Sequence, residues 1–186
     1  MGKLTVFNFI TLNGYFEGQK GDIGWHKHGA EEGEYSAEML RLRNTLLLGR
    51  VTYEMMASYW PSPMAAESFP EVAAGMNSAE KVVFSKTLKK AGWNNSRIVK
   101  DNIEEEIRKM KKIPGKDMTV LGSGSIVARL AEAGLIDEYQ IMVDPVAIGK
   151  GTPVFQGIRH TLDLKLTGTR TFKSGVVLLF YQPADR

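Results

Sequence analysis

Three times along this chain a short, largely apolar run gives way at once to glycine, hydroxyl or basic residues. Thr45-Leu46-Leu47-Leu48 precedes Gly49-Arg50, Lys81-Val82-Val83-Phe84 precedes Ser85-Lys86, and Met118-Thr119-Val120-Leu121 precedes Gly122-Ser123-Gly124-Ser125. A strand without polar alternation is covered on both faces, and such strands are parallel and joined by helical crossovers. Helical patterns stand where crossovers are needed, at Glu34 to Arg43, Val51 to Tyr59, Asn102 (as cap) to Pro114, and Ile126 to Glu132, the last stopped by Gly134. Further strands are predicted at residues 3–10, Ser96 to Val99 and Glu138 to Val146. The alternating runs around Leu164 and Leu178, joined at Lys173-Ser174-Gly175, form an antiparallel hairpin. The expected fold is α/β in three layers, α/β/α, with a mostly parallel central sheet and an antiparallel C-terminal hairpin. At 186 residues one core suffices, so residues 1–186 form a single domain.

Charge and composition narrow the function. Twenty-four basic and 21 acidic side chains, both scattered, leave a net charge of +3, too small a field to steer nucleic acid. There is no Cys, which removes disulfides, thiolate metal sites and thiol nucleophiles. No apolar run approaches the ~20 residues of a membrane span, and Met1 to Ile10 is too polar for a signal sequence, so a cytoplasmic protein without membrane contact is expected. His26-x-His28 has no third ligand type nearby, and no metal is expected. Pro153-Val154-Phe155 and the C-terminal hairpin offer an apolar patch and an edge that a homodimer would cover.

The polar strand ends carry the chemistry. Glycines in Gly122-Ser123-Gly124-Ser125 let backbone N–H groups approach a phosphate at a helix start, although a tight turn with capping serines looks the same. Gly49-Arg50-Val51-Thr52 adds a planar cation and a hydroxyl, and Ser85-Lys86 another hydroxyl and cation. The full dinucleotide fingerprint is absent, because position 127 is Val and the acidic residues Asp137 and Glu138 come too early. In an open α/β sheet a ligand lies beyond the carboxyl ends of the strands, where these turns would meet. The long segment from Gly14 to Gly33, with Tyr15, Phe16 and Trp25, reads as a binding loop.

Taken in order, these segments resemble the dihydrofolate reductase superfamily, most closely its branch containing the reductase domain of the riboflavin-biosynthesis deaminase-reductase. The matching stretches are Phe9 to Phe16, Gly49 to Glu54, Ser85 to Leu88, Gly122 to Ser125 and Pro145 to Phe155. The resemblance implies an NADPH-dependent reductase of a small planar heterocycle, of the 5-amino-6-(5-phosphoribosylamino)uracil reductase type. A dihydrofolate or pteridine reductase and a non-catalytic NADPH-binding sensor are the alternatives. It assigns the pyrophosphate and adenosine-phosphate end to Gly49, Arg50 and Thr52, and the 2′-phosphate and ribose to Ser85 and Lys86. Gly122, Ser123, Gly124 and Ser125 would wrap the remaining phosphate, while Asn13, Gly14 and Trp25 would flank nicotinamide and substrate. Dihydrofolate reductases place a carboxylate on the helix before the Gly-Arg-x-Thr box. That region here offers Glu31, Glu32, Glu34 and Glu38, of which Glu34 and Glu38 are taken as candidate acids.

Overall fold

A computed structural model describes residues 1–27 and 29–184 of the chain. Its elements are β1 (Leu4–Thr11), β2 (Tyr15–Gly18), α1 (Ala30–Arg41), β3 (Thr45–Gly49), α2 (Arg50–Tyr59), α3 (Pro63–Ser68), α4 (Pro70–Ser78), β4 (Lys81–Phe84), β5 (Ser96–Val99), α5 (Ile103–Lys111), β6 (Met118–Leu121), α6 (Gly124–Glu132), β7 (Glu138–Asp144), β8 (Gly151–Pro153), β9 (Leu164–Thr171) and β10 (Val177–Pro183). The three largely apolar runs become neighbouring inner strands of an eight-stranded sheet ordered β5-β4-β3-β6-β1-β7-β10-β9. The first six are parallel, and β10 and β9 close the sheet antiparallel.

Alternation along β3 explains why both faces are covered. Leu47, with Val82 and Val120, packs under Ile107 of α5 and Ile126 and Leu130 of α6. Leu46 and Leu48, with Val83, pack against Ala37 of α1, Tyr53 of α2 and Val72 and Met76 of α4. Consecutive residues of one strand thus feed two cores, as period-two geometry requires. Further along the sheet, Phe7, Tyr35, Phe172 and Leu178 fill the space between α1 and the hairpin.

The structure departs from the sequence reading in several places. Helix α1 starts at Ala30 rather than Glu34, because its N-cap is Gly29, which has no side chain to signal a start. Helices α3 and α4 were hidden by Pro63 and Pro70, which stand at first helical positions where a missing N–H costs nothing. The two-stranded sheet β2–β8 also had no sequence signal. Asn102 occupies the N-cap of α5 in a left-handed conformation without a side-chain cap bond. Within the segment 153–155, Val154 is buried and the Phe155 ring packs edge-on against Tyr139, while Pro153 is exposed. No helix among the described residues is long and apolar enough to cross a membrane.

One buried charge organises the amino edge of the sheet. Lys81 opens β4 fully buried, and its Nζ donates to the carbonyls of Ala79 (2.7 Å), Asn94 (3.0 Å) and Asn77 (3.4 Å) while lying 4.3 Å from the Trp93 ring centroid. Lys81→Met strands these carbonyls and is expected to cost about 2–4 kcal/mol in urea denaturation. Burial pushes the ammonium down to about 8, below the ~10.5 of an unfolded lysine. Between those values the unfolded chain binds more protons, so the Lys81 contribution to stability rises with pH from about 8 to about 10.5. The urea midpoint of the wild type should therefore gain on that of Lys81→Met across this interval.

Candidate functional site

Because β4, β3, β6, β1 and β7 run parallel, the segments that follow them emerge along one carboxyl edge. That edge is stepped. Leu121, the last residue of β6, pairs with Phe7, and β1 continues to Thr11, which pairs with Asp144 of β7. Four residues of β1 therefore project past β6, about 13 Å of extended chain, and wall one side of a platform formed by the ends of β4, β3 and β6.

On the platform two helix starts are locked together. Ser123 Oγ accepts a hydrogen bond from Gly49 N (2.8 Å) and lies 2.9 Å from Thr52 Oγ1. Close approach requires glycine at both junctions. A Cβ on Gly49 would meet Ser123 Oγ at 2.6 Å, and one on Gly122, whose φ is +59°, would meet Thr52 Cγ2 at 3.2 Å. A Cβ on Gly124 would meet Phe16 Cε1 at 2.8 Å, so β2 roofs the start of α6. Neither N-cap, Gly49 or Ser123, closes its own helix with a side-chain bond. At the start of α6 Ile126 N already donates to Ser123 O (2.9 Å). The N–H groups ahead of it, like the first ones of α2, have no intrahelical acceptors and stand where their partial positive charge suits an anion.

Cations flank this pair of helix starts. Arg50 is half-exposed, with Nη1 2.8 Å from Glu54. Beyond β4, Lys86 extends into solvent 3.3 Å from Asp101. Exposed pairs of this kind hold their partners weakly, worth about 0–1 kcal/mol, and leave both cations able to turn to a stronger anion. Ser85 is buried, and its Oγ accepts from Thr87 N (3.2 Å) and Leu88 N (2.9 Å), fixing the turn that presents Lys86. A cavity of about 210 Å³ opens there, lined by Ser85, Lys86, Lys100, Asp101, Asn102 and Arg129 among others. Arg129 forks onto Glu104 and holds that carboxyl below its usual range. Lys100 had no motif to mark it in the sequence.

The projecting strands carry the remaining candidates. Asn13 is a clamp: its Oδ1 accepts from Thr11 Oγ1 (2.8 Å) and Ile148 N (3.3 Å), and its Nδ2 donates to Ile148 O (2.8 Å). Gly14 turns with φ +86°. Trp25 Nε1 donates to Asp22 O (3.1 Å), and its ring meets His26 edge-on. His26 is buried, stacks on Phe9 with centroids 3.8 Å apart, and bonds through Nδ1 to Asp144 Oδ2 (2.8 Å). Asp144 is fully buried and also accepts from Lys27 N (3.1 Å). This tie fastens the end of the long loop to β7. Its other histidine, His28, lies outside the described residues.

Glu34 and Glu38 are exposed on the outer side of α1, Glu38 3.7 Å from Arg170 of β9. The buried carboxylate of this helix is Glu32, which accepts a hydrogen bond from Ser174 Oγ. Glu31 accepts from Lys173 N (2.9 Å), which with the Lys173 ammonium holds its carboxyl below the ordinary value.

A larger cavity, about 570 Å³, opens at the opposite edge, lined by Glu80, Lys81, Trp93, Arg97 and Lys116 among others. Of its cations Lys81 is committed to three carbonyls, while Lys116 with Glu80 and Arg97 with Glu106 form partly exposed pairs. The carboxyl edge, with its two uncapped helix starts, is the better anion site.

Known proteins share the sequence pattern and the fold of this chain. Residues 2–178 match the family model described as the RibD C-terminal domain. The chain is 34% identical over 172 residues to the uncharacterized protein YyaP of Bacillus subtilis, covering 92% of this chain and 90% of that one. Among solved structures, a putative riboflavin biosynthesis protein from Shewanella sp. PV-4 superimposes with a TM-score of 0.76 at 19% identity, over 98% of this chain and 99% of that one. Dihydrofolate reductase from Enterococcus faecalis, complexed with NADP(H), gives 0.67 at 20% identity over 99% and 98%. Both share the fold.

Proposed function

The chain belongs to the RibD C-terminal domain family, and from that premise we propose that it is an NADPH-dependent oxidoreductase reducing a small planar heterocycle, of the 5-amino-6-(5-phosphoribosylamino)uracil reductase type. The observation that carries this reading is the Ser123 bridge, which brings two uncapped helix starts within one hydroxyl of each other. A diphosphate needs several converging donors and room for its oxygens. Glycine at 49, 122 and 124 lets the segments that carry these donors approach one another, because a Cβ at each would press on the neighbouring segment.

The residues therefore fit such a cofactor in kind. The Thr52 hydroxyl, the Ser125 hydroxyl and the backbone N–H groups of the Gly122–Ser125 turn would hold the diphosphate, with Arg50 beside them, while Gly49 N stays tied to Ser123 Oγ. Lys86, and with it Lys100, would meet the 2′-phosphate at the smaller cavity, where an extra dianion needs cations nearby. When bound, NADPH supplies the hydride. The chain's own task is to orient it and exclude water. Asn13 holds the turn after β1 against Ile148, and the loop through Trp25 is fastened by Asp144, so that the wall beside the platform is firm. Glu34 and Glu38, both exposed, are not given the proton.

Nicotinamide fluorescence titrations test the assignment. Arg50→Ala and Lys86→Ala are each expected to weaken NADPH binding about 5- to 150-fold, the equivalent of ~1–3 kcal/mol. Lys86→Ala should leave NADH affinity unchanged. Equal wild-type affinity for NADH and NADPH contradicts the role of Lys86. NADPH binding without oxidation by any pyrimidine or pterin acceptor favours a sensor over an enzyme.

A further inference from the structure

Ser123 is built in at a cost. It follows Gly122, at φ +59°, in a second left-handed conformation, φ +59° and ψ +70°, which glycine adopts freely and serine does not. Strain of about 1–3 kcal/mol at one residue persists where its side chain does something glycine cannot.

That side chain joins two donors into a line. Ser123 Oγ accepts from Gly49 N, so its single proton can go only outward, and Thr52 Oγ1 lies 2.9 Å away. Two proton arrangements are open to the pair of hydroxyls, and burial selects between them. Ser123 is buried, and a buried O–H without an acceptor is costly, whereas Thr52 is partly exposed on the first turn of α2. Ser123 therefore donates to Thr52, and the Thr52 proton is the one left for the groove. A chain running N–H to O–H to O–H polarises its last member, which makes that proton a better donor to an anionic oxygen.

We propose that Ser123 is a positioning residue: it passes the Gly49 N–H hydrogen bond to Thr52 and so aims the Thr52 hydroxyl at a phosphate of the bound cofactor. This rests on the cofactor reading above. It differs from the sequence expectation, in which Ser123 touched the phosphate itself.

A double-mutant cycle tests it. Ser123→Gly removes the hydroxyl and relieves the left-handed strain; Thr52→Val removes the terminal hydroxyl at nearly constant shape; Thr52→Ser keeps it. Dissociation constants are measured for NADPH and for inorganic pyrophosphate, with the thermal midpoint of each variant. Ser123→Gly and Thr52→Val are each expected to weaken both ligands about tenfold, and the double variant no more than Thr52→Val alone. Thr52→Ser should bind nearly as the wild type and lose about tenfold when Ser123→Gly is added. Independent losses, about a hundredfold in the double variant, overturn the relay while NADPH binding itself stands. Coupling seen with pyrophosphate in a protein that does not bind NADPH keeps the relay and removes the cofactor reading. Binding of neither ligand by the wild type overturns both.

Discussion

Asp144→Ala is expected to destabilise the protein by about 3–5 kcal/mol, the cost of removing one partner from a buried hydrogen-bonded pair. The carboxylate is wholly inaccessible and serves two donors, His26 Nδ1 and Lys27 N, both on the loop that leads into α1. Alanine leaves both without this acceptor at the end of the β1–β7 pair, where Thr11 faces residue 144. For a chain of this size each kcal/mol moves the thermal midpoint by roughly 2–4 °C, so a fall of about 6–20 °C should be seen by circular dichroism. His26→Ala should cost less, since Asp144 keeps the bond from Lys27 N, and the double variant less than the sum, because both changes remove the same hydrogen bond. A shift below about 2 °C for Asp144→Ala means that the loop is held by its aromatic contacts, Phe9 on His26 above all.

The second large effect falls on binding. Gly49→Ala places a methyl 2.6 Å from Ser123 Oγ and 3.2 Å from its Cβ, with Ile126 Cδ1 at 3.3 Å behind. Ser123 cannot yield without giving up the bond from Gly49 N or its contact with Thr52. Overpacking of this kind costs about 1–3 kcal/mol of stability. Parting the two helix starts by even an ångström should weaken NADPH binding on the order of a hundredfold, since converging donors lose their common target. Adding Ser123→Gly removes both clashing serine atoms and is expected to restore the stability, though not the affinity. Wild-type affinity in Gly49→Ala contradicts the convergence of these two turns on one ligand.

Much of this architecture could be read from residue order. The largely apolar runs at Leu46, Val82 and Val120 specified inner parallel strands, since coverage on both faces suits them, and the glycine, hydroxyl and basic residues after them located the carboxyl edge. What stayed hidden depended on contacts between distant segments. Lys81 stood in the sequence only as the first residue of a strand, and its burial depends on carbonyls of Asn77, Ala79 and Asn94 that only folding gathers. Ser123 read as a phosphate donor, whereas its hydroxyl turns sideways to Gly49, 74 positions away in the chain. Asp144 and His26 are 118 positions apart and carried no motif. For α1 a signal did exist: Glu32 lies three residues before Tyr35 and seven before Met39, on the inner stripe, while Glu34 and Glu38 fall on the outer one.

The central claim is that one cofactor spans the ends of β4, β3 and β6, with its reactive end against the projecting β1 and β7. Diffraction from crystals soaked in NADPH tests this most directly. The expected density has the 2′-phosphate beside Lys86 and Lys100, the diphosphate between Thr52 and the Gly122–Ser125 turn, and the nicotinamide near Asn13 and Gly14. Cofactor density in the 570 Å³ cavity at the opposite edge, with the carboxyl edge empty at saturating NADPH, would contradict it.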